Sequence, residues 1–408
     1  MKALLLLWAT VFWAAVLMLA AGGAESRTWY VKPDGSGEVL TIQAGIDSAA
    51  TADTVLLADG VFAGAGNRDL DFMGKEIVVR SESGDPDLCI IDCGGTASAN
   101  HFGVHFMNDE TGASVLEGVT IRNGYANYGA AIYCYNSSPR ILSCILEADT
   151  ATASGGAVSF TLGAPALEGC TLRNNHAASY GGAVDASSSS FTATGSHFSG
   201  NAAGFAGGGV SAFAGSPVIT GCTFRGNYSL WGGGMAFYDG TNATVDHCIS
   251  QGNQSQFGGG GIYCFECSPL ITGCTLVADS VGFGGAIHLG PGLTPTIEAT
   301  VIAFCVNGCA VGSDLPLSVP AVTCCEVWGN EMGDWTDCIA GMETGGGNMH
   351  SNPLFCDIPT GDISVEDCSP CLSGNNDCGI DIGAAGAGCL CGAATEPTTW
   401  GAIKAMYR

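Results

Sequence analysis

The chain is predicted to be an all-β solenoid, and three features of the sequence carry that expectation. A glycine recurs at a fixed step of 26 residues, through Gly129, Gly155, Gly181, Gly207, Gly233, Gly259 and Gly285. The same step links an aliphatic column, Ile141, Leu167, Ala193, Ile219, Val245, Ile271 and Ile297, and a small-residue column, Cys144, Cys170, Ser196, Cys222, Cys248, Cys274 and Thr300. Between these columns the segments are short and rich in Val, Ile, Thr and Phe, as in Cys222-Thr-Phe-Arg-Gly-Asn227. They read as strands of about 4 to 6 residues joined by tight turns, with no room for a long helix. One 26-residue unit is then one turn of a parallel coil, and each strand pairs with its equivalent one period later, about 4.8 Å away. The expected architecture is a single-stranded parallel β-helix.

Each column follows from that geometry. Aliphatic positions face inward, because a single coil cannot bury its own apolar side and needs its neighbours. Pro139, Pro165, Pro217, Pro269 and Pro295 punctuate the same turn in five of the seven coils, with Phe191 and Ala243 in the other two. Asp149, Asn175, Asn201, Asn227, Asn253 and Asp279 form a further column. It is expected to mark a turn with a left-handed backbone, which Asn tolerates, and to carry amide hydrogen bonds from coil to coil. Paired glycines such as Gly181-Gly182 relieve crowding where the chain turns into the next strand.

Composition narrows the function. The 408 residues include 63 Gly, 21 Cys, 12 Lys or Arg and 38 Asp or Glu, for a formal charge of -26. With 47% hydrophobic and 12% charged residues the chain buries a core rather than staying an acidic disordered polymer. No basic surface exists to displace counterions from phosphates, so nucleic acid is excluded as a partner. Lys2 precedes an apolar run from Ala3 to about Ala21, followed by Gly22-Gly23-Ala24, which reads as a cleaved signal peptide of residues 1–24. Its removal takes away one positive charge and leaves -27, with no further segment long enough to span a bilayer.

The elements Gly155 to Val158, Gly181 to Val184 and Gly284-Gly-Ala-Ile287, alternating with Phe198 to Asn201 and Phe224 to Asn227, resemble the repeats of right-handed parallel β-helix proteins. These include the pectin-lyase-like superfamily and the passengers of polymorphic outer-membrane proteins. The resemblance implies a right-handed coil and a bacterial secreted or cell-surface setting. It also divides the chain into an amino-terminal cap with the first coils (25–115), regular repeats (116–303), Cys-rich closing coils and cap (304–391) and a tail (392–408). In the first of these, Thr41 is a candidate cap for a short helix that puts Ile42, Ile46 and Ala49 on one face and plugs the first coil. Asn352-Pro-Leu-Phe355, Gly361-Asp362, Ser369-Pro370 and Asp381 to Ala384 resemble the closing segment of the same superfamily.

Eleven cysteines run from Cys305 to Cys391, and secretion makes disulfides their default state. Cys89 and Cys93 are expected to pair as well, whereas the Cys144 to Cys274 column is expected to stay unpaired as small buried packing groups. Cys368-Ser-Pro-Cys371 lacks the partner motif of a zinc ribbon, so neither metal nor cofactor is expected.

Enzymes of the resembled fold that cut acidic polysaccharides use calcium-binding Asp clusters with an Arg base, or three Asp with His and an Arg-Ile-Lys element. Neither set occurs here, and a strongly acidic protein repels an acidic polymer. No catalytic residue is assigned. Tyr128, Tyr180, Trp231, Phe257 and Phe283 precede the glycine runs and are candidate ring faces for stacking sugars. The expected function is therefore non-catalytic binding of an extracellular polysaccharide. Two alternatives are a polysaccharide lyase or glycoside hydrolase with a non-standard site, and a passive structural surface protein.

Overall fold

A computed structural model describes residues 26–314 and 318–392, so the expected signal peptide and the tail from residue 393 onward lie outside the described residues. The first strand, Thr28–Val31, enters a twelve-stranded parallel sheet (sheet I) that ends at Ala321–Thr323. Each coil then adds a strand to an eleven-stranded sheet (II, Gly60–Ala63 to Glu326–Trp328), a seven-stranded sheet (III, Tyr125–Tyr128 to Ser280–Val281) and a ten-stranded sheet (IV, Leu70–Asp71 to Cys309–Ser313). Their registers pair each strand with its equivalent in the next coil, as the repeat requires: Ile141 with Leu167, Leu172 with Phe198, Ala151 with Ala177. The aliphatic column is fully buried, and Phe198 stacks on Phe224 with ring centres 4.6 Å apart.

The 26-residue step is not uniform around the coil. Sheets I and II keep it through Ile297 and Ile302. Sheet IV departs from it, pairing Val210 with Met235, Met235 with Ile262 and Ile262 with Ile287, steps of 25, 27 and 25. A residue lost before one strand is regained before the next, and the left-handed glycines there are Gly232 and Gly284 rather than Gly233 and Gly285. The slack sits at the corner between sheets III and IV, where glycine-rich turns absorb it without moving the inward side chains.

The Asn column also needs a correction. The left-handed residue is the one before it, at Ala148, Asn174, Gly200, Gly226, Gly252 and Ala278. That bend turns the following side chain into the interior. Asn175, Asn201, Asn227 and Asn253 are buried, and each Oδ1 accepts from the backbone N–H of the preceding column member at 3.0 Å. Their Nδ2 groups donate onward to the next Oδ1 and to a backbone carbonyl, as Asn201 does to Asn227 and Leu172. Buried amides are thereby satisfied along the axis.

At the amino-terminal end the helix Ile42–Ser48 is capped by Thr41, whose Oγ1 accepts from Ala44 N at 3.2 Å. Ile42 and Ile46 are buried in the main core with Val31, Val55 and Leu57. At the opposite end Ile339, with Trp335, Cys338 and Met342 around it, packs onto that core beyond the last strands. The Cys-rich segment does something else: it folds back along the outside of sheet II. Phe355, Ile358, Ile363, Val365 and Ile382 form a second core against Val277, Val301, Ala303 and Phe304. Cys324–Cys378, Cys356–Cys389 and Cys368–Cys391 secure it, and the other fifteen cysteines are free. Cys89 and Cys93 do not pair. Both are buried thiols in the first coils, and the Cys144 to Cys274 column is unpaired, with Sγ donating to carbonyls such as Ala193 O from Cys222 at 3.4 Å.

Candidate functional site

The corner between sheets III and IV is built from glycine for a steric reason. Gly181 has φ 63°, and a Cβ on Gly182 would overlap the carbonyl oxygen of Gly208. With side chains absent there, the two sheets meet closely, and their outer faces flank this corner along the solenoid. Period-2 alternation then assigns the outer face of sheet IV. Ile132, Val158, Val184, Val210 and Met235 point inward, while Tyr133, Ser159, Asp185, Ser211, Ala236, Tyr263 and His288 form one outward row. Two residues further along each strand, Tyr135, Thr161, Ser187, Phe213, Tyr238 and Phe265 form a second.

Aromatic rings close over much of this face. Tyr180, at the edge of sheet III, meets Phe213 edge-to-face at 4.8 Å and Phe205 at 5.2 Å, and Phe213 stacks on Tyr238 at 4.8 Å. Trp231 packs against Phe257 at 5.3 Å and Tyr263 at 4.8 Å, and Tyr263 stacks on His288 at 5.8 Å. Ala206 and Ala236 lie beneath. An outward face that should be wet is consequently dry.

Polar groups on the dry face are incompletely paired. Asp185 Oδ1, Ser211 Oγ, Tyr238 OH and His288 Nδ1 are buried without a protein hydrogen-bond partner. Burial pushes the Asp185 carboxyl up to about 7 and raises the Tyr238 phenol, since both charged forms are poorly solvated there. The other imidazole nitrogen of His288, Nε2, lies 2.9 Å from Asp314 Oδ1.

Towards the amino-terminal end the same corner carries a cavity of about 370 Å³ lined by Asn100, Phe102, His105, Tyr128 and Tyr133 among others. Phe102 stacks on His105 at 3.4 Å, and His105 meets Tyr133 at 5.5 Å. Desolvation pulls the His105 imidazole down to about 4, so at neutral pH it is an uncharged ring. A second cavity, about 480 Å³ between Trp328, Asp334 and His350, differs in its chemistry. Asp334 is saturated there, accepting from Gly329 N, Asn330 N and Asn330 Nδ2 and lying 2.9 Å from His350 Nε2. Glu366, Cys368 and Cys391 also approach one another, but the two sulfurs are committed to a disulfide. Cys371 is a free buried thiol, so Cys368-Ser-Pro-Cys371 forms no pair.

The five candidate stacking residues do not form one column. Tyr180 registers with Ala206, and Ala206 with Trp231, but Trp231 registers with Gly258, so a bulge displaces Phe257 by one residue. Tyr180, Trp231 and Phe257 share the ring cluster, Tyr128 lines the cavity, and Phe283 stands 72% exposed. Phe213, Tyr238, Tyr263, His288 and Asp185 come from the two outward rows of sheet IV, which the sequence reading passed over. A period-2 reading forward from each glycine pair would have reached them.

A family model for a right-handed beta helix region matches residues 153–298. Among solved structures, that of pectate lyase Pel9A is similar with a TM-score of 0.57 at 13% identity, covering 90% of this chain and 98% of that one. The structure of a PL6 family alginate lyase, AlyGC, gives a TM-score of 0.48 at 10% identity, covering 74% of this chain and 48% of that one. No curated protein matches the sequence. Among the described residues no helix is long and apolar enough to cross a membrane.

Proposed function

We propose that this right-handed parallel β-helix protein, of pectin-lyase-like fold, is secreted or displayed at the cell surface and binds extracellular glycans along the aromatic corner between sheets III and IV without cleaving them. One observation carries the reading. The corner between sheets III and IV bears both the cavity walled by Tyr128, Tyr133, His105 and Phe102 and the rings of Tyr180, Trp231 and Phe257, apolar faces with few polar groups that suit sugar rings. Against hydrolysis at Asp185 stand its surroundings: glycoside hydrolysis uses two carboxyl groups about 5 to 9.5 Å apart, whereas the coil neighbours of Asp185 are Ser159 and Ser211.

Affinity electrophoresis against a panel of soluble polysaccharides tests the binding, and assays for new reducing or unsaturated ends test for cleavage. Retardation by at least one glycan, reduced in Tyr128→Ala and Trp231→Ala, with no new ends, is the expected result. Product formation would instead make the protein a lyase or hydrolase. No retardation by any glycan would leave a structural solenoid.

A further inference from the structure

We infer that Asp185 and Ser211 form a hydroxyl-reading subsite for a neutral glycan on the outward row of sheet IV. The inference rests on the glycan-binding reading above and specifies which glycans it covers. Asp185 and Ser211 are register partners on adjacent coils, both on the outward row of sheet IV, yet they are 6% and 0% exposed. They are buried although they stand on the outward face, not the core face, of the sheet. Each carries an oxygen with no protein partner. Leaving such groups unpaired is destabilising, so a fold that needed only stability would place apolar residues here. Coil neighbours show that it can, because the next position in the same row is Ala236.

The charge pattern selects the ligand class. Among the described residues no Lys or Arg lies on any strand of sheets III or IV, while Arg80, Arg122, Arg140, Arg173 and Arg225 all lie on sheets I and II. A uronate polymer bound at this corner would meet Asp185 and no lysine or arginine from these strands. Neutral sugar hydroxyls both donate and accept, which is what a carboxyl group and a serine hydroxyl side by side can satisfy. Access requires one ring to move. Tyr180 is half-buried, and its ring meets Phe205 and Phe213, the latter the next outward residue after Ser211 on the same strand, so rotation of this side chain is the proposed route of access.

The full chain and its Asp185→Leu, Asp185→Asn, Ser211→Ala and Trp231→Ala variants are compared by affinity electrophoresis in a neutral β-glucan, a xylan, a galactomannan and polygalacturonate, with thermal melts in parallel. The wild-type chain is expected to be retarded by a neutral polymer and not by polygalacturonate. Asp185→Leu should melt higher than wild type yet lose binding by about tenfold, the equivalent of about 1.4 kcal/mol. Asp185→Asn should bind within about threefold of wild type because it keeps an acceptor. Ser211→Ala tests the same subsite should Asp185→Leu not fold. If Asp185→Leu and Ser211→Ala bind as wild type while Trp231→Ala does not, this subsite is wrong and the glycan-binding corner stands. Retardation by polygalacturonate equal to that by a neutral glycan also overturns the subsite, and wild-type protein that binds none of them overturns both readings.

Discussion

Asn253 and Asp279, one coil apart, share a single acceptor: Oδ1 of Asp279 receives both the backbone N–H of Asn253 at 2.8 Å and its Nδ2 at 3.1 Å. This contact ends the asparagine ladder on a carboxyl group that is wholly buried. Its other oxygen accepts from Ser250 Oγ at 2.7 Å. Since three donors do not replace the lost hydration, desolvation outweighs them and pushes the Asp279 carboxyl up to about 7.

That position predicts the effect of substitution. Asp279→Asn keeps the Oδ1 acceptor and replaces the acid by the residue that fills the four preceding rungs. At pH 8 it should raise stability by about 1 kcal/mol or more, since it removes a buried ionisable group. Urea unfolding of the two proteins checks this, and a less stable variant would show that the carboxyl itself is required.

Asp185 and Asp279 together set a pH dependence. Both are raised to about 7 in the fold from a reference of 3.8. The folded protein therefore holds their protons between about pH 4 and 7, where the unfolded chain has released them, and stability falls with pH across that window. Their contribution is full below about pH 4 and lost above about pH 7. Melting at pH 5 should exceed melting at pH 8, and the difference should shrink in Asp279→Asn. The opposite slope would mean that other groups dominate.

Thiol accessibility should follow the two cores. In the native state Ellman's reagent should find almost none of the fifteen free cysteines, because fourteen are buried and Cys338 is partly buried. In denaturant without reductant it should find fifteen, and after reduction twenty-one. A count of thirteen before reduction would mean that Cys89 and Cys93 pair after all.

The glycine corner should be the most sensitive backbone position. Gly182→Ala places a methyl against the backbone of Gly208, which cannot shift without moving the adjoining strand. The expected loss is several kcal/mol, seen as a large drop in melting temperature or failure to accumulate folded protein. Gly240→Ala offers the control: its Cβ meets nothing within 4 Å, although φ is 72°. The cost there should be only that of the backbone conformation, about 1 kcal/mol.

Reduction should release the outer segment first. Arg225 Nη2 donates to Gly361 O at 3.1 Å, and Ala384 N donates to Thr275 Oγ1 at 2.9 Å, so few polar contacts and one small apolar interface hold residues 353–384 to sheet II. Limited proteolysis under reductant should cut within this segment while the coils stay protected. Simultaneous loss of both would make the segment integral to the solenoid.

The repeat alone determined the coil, its parallel pairing, the buried aliphatic and cysteine columns and the Asn ladder, because every coil must present the same residue to the same neighbour and periodicity records that directly. Thr41 with Ile42 and Ile46 was equally legible, since capping and helical spacing act within a few residues. Only the tertiary structure decided that the left-handed bend falls one residue before Asn175, that sheet IV drops and regains a residue at Met235, and that Cys89 and Cys93 stay apart. It alone decided that residues 353–384 lie along sheet II, and that Tyr180, Phe213, Trp231 and Tyr263 gather into one ring cluster. Those outcomes depend on where side chains from different sheets meet around a corner, and rings brought together across two sheets leave no common period in the chain.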